Sequence, residues 1–349
     1  MPLSEVWLSI VVIGRNEEEH LPGLFRSLPR DEGIEWIYID SCSDDQSVPI
    51  ALDHGARVYR VDEASVYAPG TGRYIGTLEA WGDWILYLDG DMVLRNEFVL
   101  FIEKLRAALV RTSAIEQDTN SELKNRSRLP EEVVAFVGRT RNILLNNKGE
   151  VIAERDYAVL SPREMGLVDE WGKPAAYHGG AVLYRRDVVL KAGNWNPSLY
   201  QLEEIDLFSR VRVSGGILRA IDLPMADHYT PYLSIRERLL LNFLPQWQGK
   251  KLYGAGQVVA ARLKEGGLLS FMRIYPYPFI VFSGLFLSPL LFFVWPPLPL
   301  LVNLLIALWI GLTKKWYFYL VYLGNLLQIF RGLRHYNRFI PAYKEIKPR

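Results

Sequence analysis

Asp89-Gly90-Asp91 ends the apolar run Trp84-Ile85-Leu86-Tyr87-Leu88. Two carboxylates one residue apart make a hard oxygen site suited to Mg2+ or Mn2+ carrying a diphosphate. An apolar run of this length reads as a buried strand, which puts the acids at a strand's carboxyl end. In an open α/β sheet, ligands lie at that end. The plainer reading is an acidic turn, since Asp-Gly is a common turn pair. Three further clusters sit at comparable places: Gly14-Arg15-Asn16-Glu17-Glu18, Asp40-Ser41-Cys42-Ser43-Asp44-Asp45, and Gly70-Thr71-Gly72-Arg73-Tyr74-Ile75-Gly76. Carboxylates such as Asp40 and Glu17 can accept hydrogen bonds from a base N–H or ribose hydroxyls. Arg73 offers a planar donor fork to a carbonyl or phosphate. A surface salt bridge for Arg73, and a helix N-cap or Asx-turn for Asp40, are the plainer alternatives.

The elements that must position these groups alternate. Val6–Ile13, Trp36–Asp40, Ala56–Arg60 and Trp84–Leu88 read as strands. Helical patterns cover Glu18–Leu28, Asp45–His54, Gly72–Ala80 and Asn96–Leu109. That alternation predicts an α/β domain with a mostly parallel sheet and helices on both faces. Residues 112–132 read as a polar surface loop. Val133–Gly138 and Val151–Glu154 flank the turn signal Asn146-Asn147-Lys148-Gly149. A strand at Ala181–Tyr184, helices at Arg186–Ala192 and Glu204–Ser214, and a strand at Ile217–Ile221 complete the domain. His228 falls in the polar loop expected after that strand.

In order and spacing, the four clusters resemble the family 2 glycosyltransferases of GT-A, Rossmann-like fold, over roughly residues 6–225. Asp40, Ser41, Cys42, Ser43 and Asp45 match the family's Asp-rich loop after the second strand. Arg73 and Gly76 match its Ala-Arg-Asn-x-Gly segment, and Asp89 and Asp91 its Asp-x-Asp. His178-Gly179-Gly180-Ala181 resembles its Gly-rich loop, followed by Gly193-Asn194-Trp195-Asn196. Glu203-Glu204-Ile205-Asp206-Leu207-Phe208-Ser209-Arg210 resembles its Glu-Asp-x-Asp-Leu-x-x-Arg helix start, with glutamate where the family has the basic aspartate. The resemblance implies inverting transfer from a nucleotide-diphosphate sugar, UDP-sugar favoured. Glu204 would be the base, with Glu203 as its possible substitute. Glu17, Asp40, Arg73, Asp89 and Gly180 would hold the donor. Asp91, Asp89 and His228 would hold Mg2+ or Mn2+, His228 being either a third ligand or a phosphate contact. An acidic first helical turn complementing the helix dipole also accounts for Glu203, Glu204 and Asp206.

The net charge of +1 hides an asymmetry, for residues 231–349 hold 15 Lys/Arg against 3 Asp/Glu. These basic residues flank apolar runs, which points to a membrane and away from nucleic acid. Residues 274–313 carry no charge, enough for two crossings of about 20 residues. Trp295-Pro296-Pro297-Leu298-Pro299 breaks the run where a hairpin loop belongs, and basic residues on both flanks put both ends in the cytosol. The expected layout is a catalytic domain at 1–230, amphipathic interfacial helices at 231–273, a transmembrane hairpin at 274–313, and an interfacial or third membrane segment with a basic cytosolic tail at 314–349. Ser234-Ile235-Arg236-Glu237 has capping-box spacing and opens an amphipathic helix, to lie on the membrane or on the front domain. The single Cys42 excludes an internal disulfide and any cysteine-rich metal site, and the run Val6–Ile13 has no basic leader.

The leading expectation is therefore a glycosyltransferase at the cytosolic face of the membrane, acting on a lipid-linked acceptor in glycan or exopolysaccharide assembly. Direct transfer to a polyprenyl phosphate is its near rival. Leu244-Pro245-Gln246-Trp247 lacks the Gln-x-x-Arg-Trp pattern of processive synthases. A nucleotidyltransferase would want a Gly-rich basic loop after the first strand, where this chain has Glu17-Glu18-Glu19. A non-catalytic scaffold would not need the acids.

Overall fold

A computed structural model of the chain describes residues 6–63, 68–117, 132–155, 173–174, 180–243, 254–313 and 317–348. His178, Gly179, the segment 244–253 and Lys314-Lys315 lie outside these, as do residues 118–131 of the expected polar loop.

The chain divides into two units, one formed by residues 1–197, 211–232 and 340–349 and the other by 198–210 and 233–339. The division is not the contiguous one expected from sequence: residues 340–349 return to the first unit, and 198–210 belong with the helices.

The first unit opens with β1 (Leu8–Gly14), α1 (Leu21–Ser27), β2 (Ile34–Asp40), α2 (Ser47–Asp53), β3 (Arg57–Val61), α3 (Pro69–Glu79) and β4 (Trp84–Asp89). There follow β5 (Met92–Leu94), α4 (Asn96–Gln117), β6 (Val133–Leu145), β7 (Val151–Glu154), β8 (Lys173–Pro174), β9 (Val182–Arg185) and α5 (Arg186–Lys191). Then comes α6 (Glu203–Val213), whose residues 203–210 count with the second unit, followed by β10 (Ile217–Pro231) and the last strand, β11 (Tyr343–Ile346). The sheet runs β11-β3-β2-β1-β4-β9-β6-β10-β5, with β7 on β6 and β8 on β10. It is parallel through β3-β2-β1-β4, while β9, β5 and β11 join antiparallel.

Near-continuous apolar sequence produces the parallel half, because these strands are covered on both faces. Six of the seven residues of β1 are buried. Leu21, Leu24 and Phe25 of α1 and Phe98, Ile102 and Leu105 of α4 share a core with Leu8, Ile10, Val12, Leu86 and Leu88. Register then lines up the strand ends: Gly14 lies opposite Asp40, and Ile13 opposite Asp89. Helix α3 lies flush on β1, since a Cβ on Gly76 would come within 2.2 Å of Val11.

Two expectations are corrected. Helix α4 continues to Gln117, so 112–117 are helical where polar composition suggested loop. Strand β10 runs ten residues past Ile221, so His228 stands on a strand. Leu223-Pro224 would argue against a strand interior. Register shifts between Ala220 and Ala226 accommodate the proline while pairing with β6 resumes beyond it.

The second unit is helical, with α7 (Ile235–Phe243), α8 (Gly254–Glu265), α9 (Leu268–Ile274), α10 (Tyr277–Val294), α11 (Leu298–Thr313) and α12 (Phe318–His335). The capping box forms: Ser234 N–H donates to Glu237 Oε2 at 2.8 Å and Glu237 N–H to Ser234 Oγ at 3.3 Å. Helices α8 and α12 touch backbone to backbone, leaving no room for a Cβ on Gly256, which would fall 1.6 Å from Gln328 O. Asn303 joins α11 to α10 through Gly284 O at 3.4 Å and Ser288 Oγ at 3.1 Å.

The returning strand β11 seals the β3 edge, and Tyr343 OH donates to Glu79 Oε1 at 2.6 Å. Tyr343→Phe should cost about 1 kcal/mol, the net worth of one hydrogen bond. A thermal melt of the purified protein measures it, and an unchanged midpoint would show that the bond contributes nothing.

Candidate functional site

The loops after β1 and β2 are stitched together by their own polar residues. Asn16 takes a left-handed φ of 59°, a conformation its short polar side chain tolerates. Asn16 N–H donates to Ser43 Oγ at 2.9 Å, Glu17 N–H to Ser47 Oγ at 2.7 Å, and Glu18 N–H to Asp45 Oδ2 at 3.0 Å. Ser43, Asp45 and Glu18 of the two motifs thus fix the loops. Asp40 is fully buried, takes the Ser43 N–H on both oxygens at 3.2 Å, and lies 3.5 Å from Arg60. Burial raises its pKa, with the Ser43 bonds and Arg60 opposing. Asp40 thus braces the loop through the N–H three residues on.

The loops free Glu17 to lie across the end of β4. Its Cγ covers Gly90, where a Cβ would come within 2.7 Å of it. Glycine between the two aspartates therefore admits a third acid. Burial raises the Glu17 pKa; the His20 hydrogen bond opposes, and Asp91 and Asp89 add to the rise. His20 Nδ1 lies 3.0 Å from Glu17 Oε2, and its ring packs on Tyr229 at 5.7 Å. Sequence reasoning missed His20; its place one helical turn after Glu17 is the signal that could have found it.

Arg73 is buried on α3 and donates to Asp89 Oδ1 at 2.6 Å. Its guanidinium sits 5.2 Å from the Trp195 ring centroid, and Trp195 meets Tyr87 edge-on at 5.0 Å. The Gly193-Asn194-Trp195-Asn196 motif thus supports the pair, with Asn194 Nδ2 donating to Tyr74 O at 3.1 Å. Burial raises the Asp89 pKa, Arg73 opposes, and Asp91 adds to the rise. Gly180 closes over both partners: a Cβ there would meet Asp89 Oδ2 at 2.5 Å and Arg73 at 2.9 Å.

Strand pairing brings His228 to the acids. Met92 pairs with His228 across β5 and β10, and Tyr229 N–H donates to Asp91 O at 2.9 Å. His228 Nε2 lies 3.2 Å from Asp91 Oδ2. Burial alone would lower the His228 pKa, but the Asp91 bond and the charges of Asp91, Asp89 and Glu17 raise it. On the neighbouring residue, Arg141 grips Asp227 with both nitrogens, at 2.7 and 3.1 Å, which steadies this part of β10.

Ligand atoms of Asp89, Asp91 and His228 lie within 4.8 Å of one another, and Asp91 Oδ1 is buried with no hydrogen-bond partner among the described residues. Two carboxylates, an imidazole and an orphaned oxygen fit Mg2+ or Mn2+. The structure therefore unites Glu17, Arg73, Asp89, Asp91, Gly180 and His228. Glu203, buried, and Glu204, half-buried, start α6 in the helical unit.

Gly180→Ala should push Asp89 aside and weaken Mn2+ binding about tenfold, the lower range for a disturbed neighbour of a metal ligand. Calorimetric titration of Mn2+ checks this, and unchanged affinity would detach Gly180 from the site.

Known proteins share parts of this sequence and fold. A staphylococcal 4,4'-diaponeurosporenoate glycosyltransferase (Staphylococcus haemolyticus) is 24% identical over 205 residues, 57% of this chain and 50% of that protein. A TPR repeat-containing protein of Synechococcus elongatus is 27% identical over 231 residues, 64% of this chain and 55% of that protein. The chain spans about half the length of these curated relatives. Among solved structures, residues 1–349 of S. aureus TarS align with 14% identity and TM-score 0.48, covering 94% of this chain and 90% of that one. GalNAc-T7 with UDP, GalNAc and Mn2+ aligns with 17% identity and TM-score 0.47, over 78% and 56%. Residues 9–191, more than half of the chain, match the sequence model described as Glycosyl transferase family 2, and the chain belongs to that family.

Proposed function

We propose that this glycosyltransferase is metal-dependent and inverting, and moves a sugar from a nucleotide diphosphate, UDP favoured, to a lipid-linked acceptor at the cytosolic face of a membrane. The observation that carries the donor half is the convergence of Asp89, Asp91 and His228 with Asp91 Oδ1 unpartnered. A bound Mg2+ or Mn2+ would supply Lewis-acid stabilisation of the departing diphosphate. Three acids, Glu17, Asp89 and Asp91, gather there beside one guanidinium and two imidazoles, His20 and His228, so an anionic diphosphate would need further positive charge. Arg73 orients Asp89, and Glu17, steadied by His20, is placed to accept from ribose or base. Glu204, or Glu203 beside it, takes the acceptor hydroxyl's proton as the new bond forms.

Support for the membrane comes from α10, 18 residues long and apolar enough to cross, with most of its length exposed, and from the shorter apolar α11. Phe286, Phe293, Leu300 and Leu312 lie bare on these helices. Tyr277 stacks on both Trp309 and Tyr322, so aromatic rings gather where α10 begins and α11 ends. Such rings favour the membrane–water interface. That favours an interfacial place for α12, whose start carries Tyr322.

The donor is tested with purified protein in detergent, following UDP release from UDP-glucose, UDP-galactose, UDP-GlcNAc and UDP-GalNAc with membrane lipid extract as acceptor source. Asp91→Asn removes one of three crowded acids and leaves a neutral amide beside His228. It should therefore fold with an unchanged or higher melting temperature while turnover is lost. Full wild-type turnover in EDTA would reject the metal. Glu204→Gln should lower turnover at least about 100-fold with UDP affinity unchanged, Glu203→Gln being its companion. A cysteine at Pro297 should react with an impermeant reagent from outside the cell, and labelling from the cytosolic side alone would reject the hairpin.

A further inference from the structure

We infer that Arg262, far along the chain on α8, is a positioning residue for the acids that begin α6. This rests on the reading of Glu204 or Glu203 as the base.

The first turn of α6 holds three acids, Glu203, Glu204 and Asp206, and the structure sorts them. Asp206 is fully buried between two arginines. Arg262 Nε lies 2.8 Å from Asp206 Oδ1, and Arg210 donates to Oδ2 at 2.8 and 3.1 Å. Both oxygens of Asp206 are thus taken up by guanidinium groups. Arg262 is itself only 3% exposed and is anchored again, to Glu265 Oε2 at 2.8 Å and Gly266 O at 3.2 Å. Glu265 in turn receives Tyr336 OH at 2.9 Å and Arg338 at 3.1 Å. One chain of ion pairs therefore ties the start of α6 to α8 and to the segment after α12.

Stability alone does not explain such a chain. Apolar residues of equal volume often replace a buried ion pair without loss, and what the charges add is a fixed geometry. The turn needs fixing. Leu202, immediately before Glu203, has φ of 61°, a left-handed conformation that strains a residue with a Cβ. Its carbonyl accepts the Asp206 N–H at 2.9 Å, so Asp206 is where the strained turn closes. Arg262 holds Asp206, Asp206 holds the turn, and the turn aims Glu203 and Glu204.

The test uses the full chain in detergent, with UDP release from the same four UDP-sugars and lipid extract as the activity probe. UDP with Mn2+ probes donor binding. Measured per folded molecule well below the melting temperature, Arg262→Gln should lower kcat about 10- to 100-fold, the range for a reacting group misplaced by an ångström or less. UDP affinity should stay within about twofold, and Arg262→Lys should recover part of the loss. Should Arg262→Gln fold poorly, Asp206→Asn combined with Arg262→Gln keeps a neutral hydrogen-bonded pair and is read in the same way. Added to whichever of Glu204→Gln or Glu203→Gln is the more impaired, Arg262→Gln should cost nothing further, because both act through one group. Normal turnover per folded Arg262→Gln molecule would overturn the inference and leave the base reading standing, as would a fully additive loss in that background. Near-normal turnover in both Glu204→Gln and Glu203→Gln would overturn the base reading, and the inference with it.

Discussion

The Arg73–Asp89 ion pair is the interaction on which the candidate donor site depends. A guanidinium this deeply buried is tolerable only beside a charge, and breaking such a pair costs about 3–5 kcal/mol. Everything around it serves to keep it in place. Helix α3 sits flush on β1, Trp195 lies against the guanidinium, and Gly180 leaves room above. The pair fixes one oxygen of Asp89 toward the protein and leaves the carboxylate beside Asp91. Asp91, by contrast, keeps an unsatisfied oxygen. One aspartate is thus oriented by Arg73, and the other meets His228 through its second oxygen.

The same economy governs the rest of the site. Parallel register brings the ends of β1, β2 and β4 level, so one choice of strand pairing delivers Glu17, Asp40 and Asp89 together. The loops are held by side chains of the motifs themselves, which is why several motif residues are fixtures of the scaffold rather than open to solvent. In the helical unit, too, a buried acid is fixed by its partners: Asp206 is locked by Arg210 and Arg262.

Much of this was legible in the sequence. Strands β1 to β4 and the helices between them follow from short apolar runs bounded by turn residues, and Asp89-Gly90-Asp91 named its own position. The family match over residues 9–191 agrees with the resemblance and sets aside the nucleotidyltransferase and scaffold alternatives. What the sequence hid was long-range. Pro224 disguised the continuation of β10, so His228 read as a loop residue although pairing with β5 carries it to Asp91. No local pattern could say that Tyr343 to Ile346 would return to the edge of β3. Asp40 carried two readings, and its burial and the bond from Ser43 N–H show only that it braces the loop. Arg262 looked like a flanking charge of a membrane segment, because its buried partner lies 56 positions earlier in the chain.

The central claim is that Asp89, Asp91 and His228 share one cation on which the donor diphosphate rests. Anomalous diffraction at the manganese edge, from crystals grown with Mn2+ and UDP, tests it most directly. The account predicts a single strong peak in contact with the Asp91 carboxylate and the His228 imidazole, with the diphosphate on its other side. UDP bound with no peak between those residues would contradict it.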